Sequence, residues 1–250
     1  YHDQAVGKSK SWVRQFLEVH WGFSVSGTPV YGLFNEEIHV AKKELWFNPA
    51  LPLVIGMDAG LTPAAILGQQ DLNGRIIVLE EVVAHNMGAK RFCREKLLPV
   101  LNQRFSEASE LMVCLDPAAG NRSEADETTV MQVVKQELKI PVVLAHSNLF
   151  EPRRDSVDHY LSTLTPAGPG YIVDPKCKVL IRGFMSGYRF DVNRKGVQDN
   201  RPAKNDYSHP HDANQYLCMA FLKYAAVQAK RRMAETHVMR QNVGNTYIAR

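Results

Sequence analysis

No C-x-x-C pair occurs among the four cysteines, Cys93, Cys114, Cys177 and Cys218, which are scattered along the 250 residues. That spacing argues against a disulfide framework and a cysteine zinc site, and suits free thiols in a reducing compartment. Long apolar runs are missing too. The longest, such as Ile76-Ile77-Val78-Leu79, fall far short of the roughly 20 residues of a spanning helix, so no membrane partner is expected. There is no internal repeat and no low-complexity tract. The opening YHDQAVGKSK is polar and does not read as a signal peptide. It starts on Tyr1, which reads as part of a longer protein. Its Gly7-Lys8-Ser9 lacks the Gly that a phosphate-binding loop carries five residues earlier, where His2 stands. Strong charge imbalance is also absent: the net charge is +4 and the pI about 8.8. Mild basicity is compatible with nucleic-acid binding and does not establish it.

What is present is organised. Hydrophobic residues make up 45% of the chain, enough for one substantial core. All three tryptophans (Trp12, Trp21, Trp46) precede Asn48-Pro49-Ala50-Leu51-Pro52, so residues 1–50 read as a linker or extension. Residues 51–235 read as one domain, and 236–250 as a basic tail. Val54–Asp58, Ala64–Gln69 and Arg75–Ala84 read as three strands separated by tight Gly- and Pro-containing turns. Links that short permit only an antiparallel meander. A helix over Ala89–Phe105, a strand at Leu111–Leu115 and a helix over about 127–138 follow. The expected order then runs through a strand at Val142–Leu144 and helices near 152–164 and 175–186, to a long helix opening near Pro210. Hairpins followed by alternating strands and helices describe a mixed α/β sheet with helices on both faces.

Two uniformly apolar strands, 53–57 and 111–115, each end on a carboxylate, Asp58 and Asp116. As neighbours they would project both groups into the crevice at their carboxyl ends, where open α/β sheets place ligands. In SHPHDANQYL (208–217), His209, Asp212 and Tyr216 recur at helical spacing. Three carboxylates in one crevice repel, at about 4 kcal/mol per pair for ~4 Å and an effective dielectric near 20. Mg²⁺ or Mn²⁺ relieves that repulsion, and two such ions can activate water and stabilise a leaving oxygen in phosphodiester hydrolysis. An Asp after a strand is also an ordinary turn or cap residue. Asp174, in YIVDPKC, reads as such a cap, and Glu80 and Glu81 read as surface groups.

VIGMDAGLTPAAILG, LMVCLDPAAGNR, HPHDANQYL and WGFSVSGTPVYGLFNEEIHVA (21–41) together resemble the nuclease domain, with its upstream linker, of the large terminase subunit of tailed bacteriophages. The resemblance implies a ribonuclease H-like fold: a mixed five-stranded core sheet flanked by helices, with an added β-hairpin over the basic stretch 188–204. It implies an endonuclease that cuts concatemeric double-stranded viral DNA, using two Mg²⁺ or Mn²⁺ ions held by Asp58, Asp116 and Asp212. His209 matches an assisting position. Arg189, Arg194, Lys195, Arg201 and Lys204 are expected to track phosphates with little sequence preference.

The implied partners in a full-length protein are a packaging ATPase domain, whose motifs this chain lacks, the portal, the procapsid and the small terminase subunit. The fragment alone is expected to be monomeric and the full-length protein oligomeric on the portal. The implied location is the host cytoplasm, transiently at the procapsid and not in the mature virion. Other readings stay open from the residues themselves: a resolvase- or transposase-like nuclease of the same fold, an actin- or sugar-kinase-like ATPase suggested by Asp58-Ala59-Gly60-Leu61-Thr62, and a non-catalytic DNA- or portal-docking module.

Overall fold

The computed structural model describes residues 27–121, 128–192 and 198–223. Its centre is a six-stranded mixed sheet built on β2 (Leu53–Asp58). After β1 (Thr28–Pro29) and a one-turn helix α1 (Glu36–His39), β2 runs antiparallel to β3 (Ala64–Gln70), and β3 antiparallel to β4 (Ile76–Val83). This is the meander that the short turns require. On its other side β2 pairs in parallel with β5 (Leu111–Leu115), and β5 with β6 (Val142–Leu144). Parallel neighbours need crossovers. These are supplied by a helix from Ala89 to Arg104 (α2) and by α3 (Val130–Leu138). The strand expectations differ from these bounds only at their ends.

Beyond β6 come α4 (Phe150–Ser162), a small ladder of β7 (Leu164–Thr165) with β8 (Gly168–Pro169), and β9 (Tyr171–Val173). The three residues of β9 join β4 in parallel, which makes six strands where five were expected. Helix α5 (Lys178–Arg182) continues into a π-helical turn, Gly183–Gly187. Strands β10 (Arg189–Val192) and β11 (Gln198–Pro202) then form the expected hairpin, paired with β1 in a separate three-stranded sheet. The last helix, α6, starts at 208 and is described to 223.

Strand alternation divides the core in two. Leu53, Ile55 and Met57 pack with α2 and α3, whereas Val54 packs on the opposite face with α4, α5 and α6. On that second face a glycine decides the architecture. A Cβ at Gly56 would collide with the Ala213 carbonyl and the Leu217 backbone of α6. With only a hydrogen there, α6 lies directly on the central strand, and the sheet passes under it. A β-bulge at Leu79 of β4, opposite Leu67/Gly68, shifts the alternation along β4, and its two adjacent acids face opposite layers. Glu80 pairs with Arg104 of α2 and with Lys176 at 3.4 Å. Glu81 accepts the backbone N–H groups of Val179 and Leu180, each at 2.8 Å, at the start of α5. Glu81 is therefore a helix cap rather than a surface group.

Residues 27–50 are fastened to this domain. Tyr31 is buried, with its hydroxyl accepting from Gln215 Nε2 at 2.8 Å. Val40 bridges Val173, and Leu45 N–H donates to Asp174 Oδ2 at 2.7 Å. Asp174 Oδ1 accepts from Lys176 N–H at 2.9 Å, so it stabilises the turn before α5, whose N-cap is Cys177 rather than Asp174 as expected. All four cysteines are free and buried. Among the described residues no helix is long and apolar enough to cross a membrane.

Candidate active site

Asp58 ends β2, and Asp116 follows directly on β5. Val54, Gly56 and Asp58 share one side of β2, and Met112, Cys114 and Asp116 share the same side of β5, because β2 and β5 are in parallel register. Both carboxylates therefore rise on the face that α6 covers. Helix α6 is laid down by a tight N-terminal turn. Asn205 Oδ1 accepts from Tyr207 N–H, and Ser208 Oγ accepts from Asn205 N–H while donating to the Ala203 carbonyl. Pro210 falls in the first turn, where its missing N–H costs nothing. From this start His209 and Asp212 share one face, and Tyr216 lies one turn further on.

Two groups of polar contacts hold the three carboxylates, one pairing Asp58 with His209 and the other joining Asp116 to Asp212. His209 Nδ1 lies 2.8 Å from Asp58 Oδ2. Tyr216 donates its hydroxyl to Asp116 Oδ2 at 2.7 Å, while Asp116 Oδ1 caps the following turn by accepting Ala118 N–H at 2.7 Å. Asp116 is thus both a cap and a member of the crevice. Arg153, from α4, donates Nη1 to Asp212 Oδ1 at 2.9 Å and to the Tyr216 hydroxyl at 3.3 Å. Lys204 Nζ lies 3.8 Å from Asp212 Oδ2.

Burial gives these contacts weight. Asp212 is only 7% exposed. Desolvation pushes its pKa up; the Arg153 guanidinium opposes that, and the nearby Asp58 charge adds to it. His209 is shifted upward, chiefly by its hydrogen bond to Asp58, with burial opposing. The Tyr216 phenol is pushed far up, first by burial. The Asp58–Asp212 coupling places both charges in one electrostatic neighbourhood.

Among the described residues no three His, Cys, Asp or Glu side chains are grouped closely enough to enclose one ion. Each carboxylate is turned toward a cation or donor of the protein itself: His209 for Asp58, Tyr216 for Asp116, Arg153 and Lys204 for Asp212. As a donor set, three aspartates on two adjacent strand ends and a covering helix suit a hard divalent cation. The upward shift of Asp212 comes first from its burial, which Arg153 only partly offsets.

Of the basic residues expected to face DNA, Arg201 and Lys204 are exposed, and Lys204 reaches the acidic crevice. Arg189 is partly buried on β10, with Nε 4.0 Å from Asp191. Arg194 and Lys195 lie outside the described residues. Arg153 escaped the sequence reading. Its signal was its position: Arg153, Val157, Tyr160 and Leu161 recur at helical spacing on the buried side of α4, where a lone cation is out of place.

No protein-family model matches the sequence, and no curated protein does. Solved structures do. The large terminase of a thermophilic bacteriophage matches with a TM-score of 0.57 at 17% identity, over 88% of this chain and 54% of that one. The P22 large terminase nuclease domain matches with a TM-score of 0.53 at 12% identity, over 78% of this chain and 93% of that one. The chain has the ribonuclease H-like fold of the large-terminase nuclease domains. It spans about half the length of the thermophilic phage protein that it matches.

Proposed function

We propose that this chain is the nuclease part of a large terminase: a divalent-metal-dependent endonuclease that cuts double-stranded concatemeric viral DNA during genome packaging. The observation that carries the reading is the placement of Asp58 and Asp116 at the ends of adjacent parallel strands under α6, the helix that carries Asp212, on a fold shared with terminase nuclease domains.

In this reading Asp58 and Asp116, at the ends of adjacent strands, and Asp212, from the helix above them, hold Mg²⁺ or Mn²⁺. Asp58, on the central strand, would hold both ions if two are bound. When bound, such ions lower the pKa of a water and neutralise charge on the leaving oxygen of a phosphodiester. The remaining groups do what side chains can. His209, with Nδ1 committed to Asp58, keeps Nε2 for holding a proton beside the reacting phosphate. Lys204 and Arg201, exposed at the hairpin and its exit, steady the DNA backbone, with Arg189 behind them on β10. Phosphate contacts read no bases, so cutting has little sequence preference. The greater length of the thermophilic phage terminase supports a further reading of this chain as one part of a machine. That machine's ATPase domain, portal, procapsid and small subunit lie outside the piece described.

The test uses supercoiled plasmid. Nicking with Mn²⁺, absent in EDTA and absent in Asp58→Asn, is expected. Nicking that persists in EDTA or in the variant contradicts the reading, and ATP hydrolysis without DNA cutting favours a kinase-like function.

A further inference from the structure

Arg153 occupies an unusual position for a residue that need only brace two helices. Its side chain is 13% exposed and touches the crevice at two points, Asp212 Oδ1 and the Tyr216 hydroxyl. Its guanidinium carbon lies 5.4 Å from the Tyr216 ring centre, over the aromatic face. Through Tyr216 it reaches Asp116, since that same hydroxyl donates to Asp116 Oδ2. One buried cation is thereby connected to two of the three carboxylates, from a helix that contributes no acid to the crevice. Its Nε is buried without a hydrogen-bond partner among the described residues. A guanidinium held for packing alone would normally satisfy all its donors. This one leaves a donor unused while binding a carboxylate with another.

We propose that Arg153 is a resident counter-cation of the carboxylate site, a positioning residue whose charge competes with the divalent ion for Asp212. The inference rests on the reading of the crevice as a metal site. Without the ion, Arg153 offsets the repulsion that Asp212 meets from the other carboxylates and, through Tyr216, ties it to Asp116. Charge neutralisation is then already partly supplied, so a divalent ion entering at Asp212 must displace or share the guanidinium. The site is held ready and bound weakly, rather than empty and strongly attracting. Tyr216 carries the linkage, since its hydroxyl lies between Arg153 and Asp116.

Binding of Mn²⁺ alone, followed by the loss of the free-ion electron paramagnetic resonance signal without DNA, tests this directly. The same intact chain is used throughout, as wild type, Asp58→Asn, Arg153→Gln and Arg153→Lys, with circular dichroism confirming folding. Arg153→Gln is expected to tighten Mn²⁺ binding by about tenfold, the scale on which one nearby opposite charge shifts a carboxylate equilibrium. Arg153→Lys keeps the charge but not the planar fork over Tyr216, and is expected to fall between wild type and Arg153→Gln. If both variants weaken binding equally, or neither changes it, Arg153 is a brace and the inference falls. Should Arg153→Gln fail to fold, Arg153→Lys together with Tyr216→Phe decides: affinity at or above wild type in the first and altered affinity in the second are expected, and loss of binding in Arg153→Lys overturns the proposal. The underlying reading has its own arm. Asp58→Asn must lose Mn²⁺ binding. If it does and Arg153→Gln still fails to tighten, only the counter-cation role is refuted. If Asp58→Asn binds like wild type, the metal-site reading itself is wrong.

Discussion

Gly56, in the middle of the central strand, lies directly against the Ala213 carbonyl of the helix that carries Asp212. The acid on the helix reaches the acids on the strands because a single side chain is missing beneath it. Gly56→Ala is expected to lift α6 and destabilise the fold by about 3 kcal/mol, in the range of overpacked cores. Gly32→Ala, where nothing lies within 4 Å of an added Cβ, is expected to leave the denaturation midpoint almost unchanged. Urea unfolding of both variants checks the pair, and equal effects would contradict this packing account.

How much of this could be read in the residues depends on distance along the chain. The strands at 53–58, 64–70, 76–83, 111–115 and 142–144 declare themselves as apolar runs bounded by turns. Asp58 and Asp116 stand out because they end two of those runs. Asp212 and His209 follow from helical spacing. Arg153, by contrast, is 59 residues from Asp212, and only tertiary packing brings them together. The same holds for Glu81 and the start of α5, 98 residues away. The pairing of β1 with β10, which draws residues from the expected linker into the fold, is equally long-range. The π-helical turns at Cys93–Leu97 and Gly183–Gly187 leave no distinct local pattern, since their side chains keep near-helical spacing.

Glu81 gives a stability test away from the crevice. Burial pushes its carboxyl up, and the amides of Val179 and Leu180 hold it down. Glu81→Ala leaves those two N–H groups at the start of α5 unpaired. A loss of about 1–2 kcal/mol, the cost of a deleted cap, is expected in chemical denaturation. No measurable loss would mean that the amides find another partner.

His209 should titrate above its ordinary value because its charged form is held by Asp58. Since the folded pKa is raised, the stability from this contact is fully present below about 6.5. It is lost as pH rises through the folded value. In an NMR titration Asp58→Asn is expected to bring the His209 pKa down. An unchanged value would break the inferred pairing.

His211 points the other way. It is fully buried, stacked on Tyr188 with ring centres 4.7 Å apart, and closely backed by Gly183. Burial pushes its imidazole down to about 3. Unfolded chains take up that proton near 6.5, so this group costs stability as pH falls from about 6.5 toward 3. The slope is up to about 1.4 kcal/mol per pH unit. His211→Phe is expected to flatten the acid limb of the stability profile between pH 6.5 and 4. An unchanged limb would place the acid sensitivity elsewhere.

DNA affinity should fall with salt. Arg201→Gln and Lys204→Gln are each expected to reduce the slope of log affinity against log salt by about 0.9, as one fewer phosphate is neutralised. The weakening should be similar for unrelated sequences, as fluorescence anisotropy with two duplexes would reveal. A strongly sequence-dependent effect would instead indicate base reading.

The convergence of Asp58, Asp116 and Asp212 on shared cations is tested most directly by anomalous diffraction from a crystal soaked in Mn²⁺. The account predicts manganese density between the three carboxylates, with Asp58 contacting it and the Arg153 guanidinium withdrawn from Asp212. Density that avoids the crevice, with Arg153 still closed on Asp212 at saturating Mn²⁺, would contradict it.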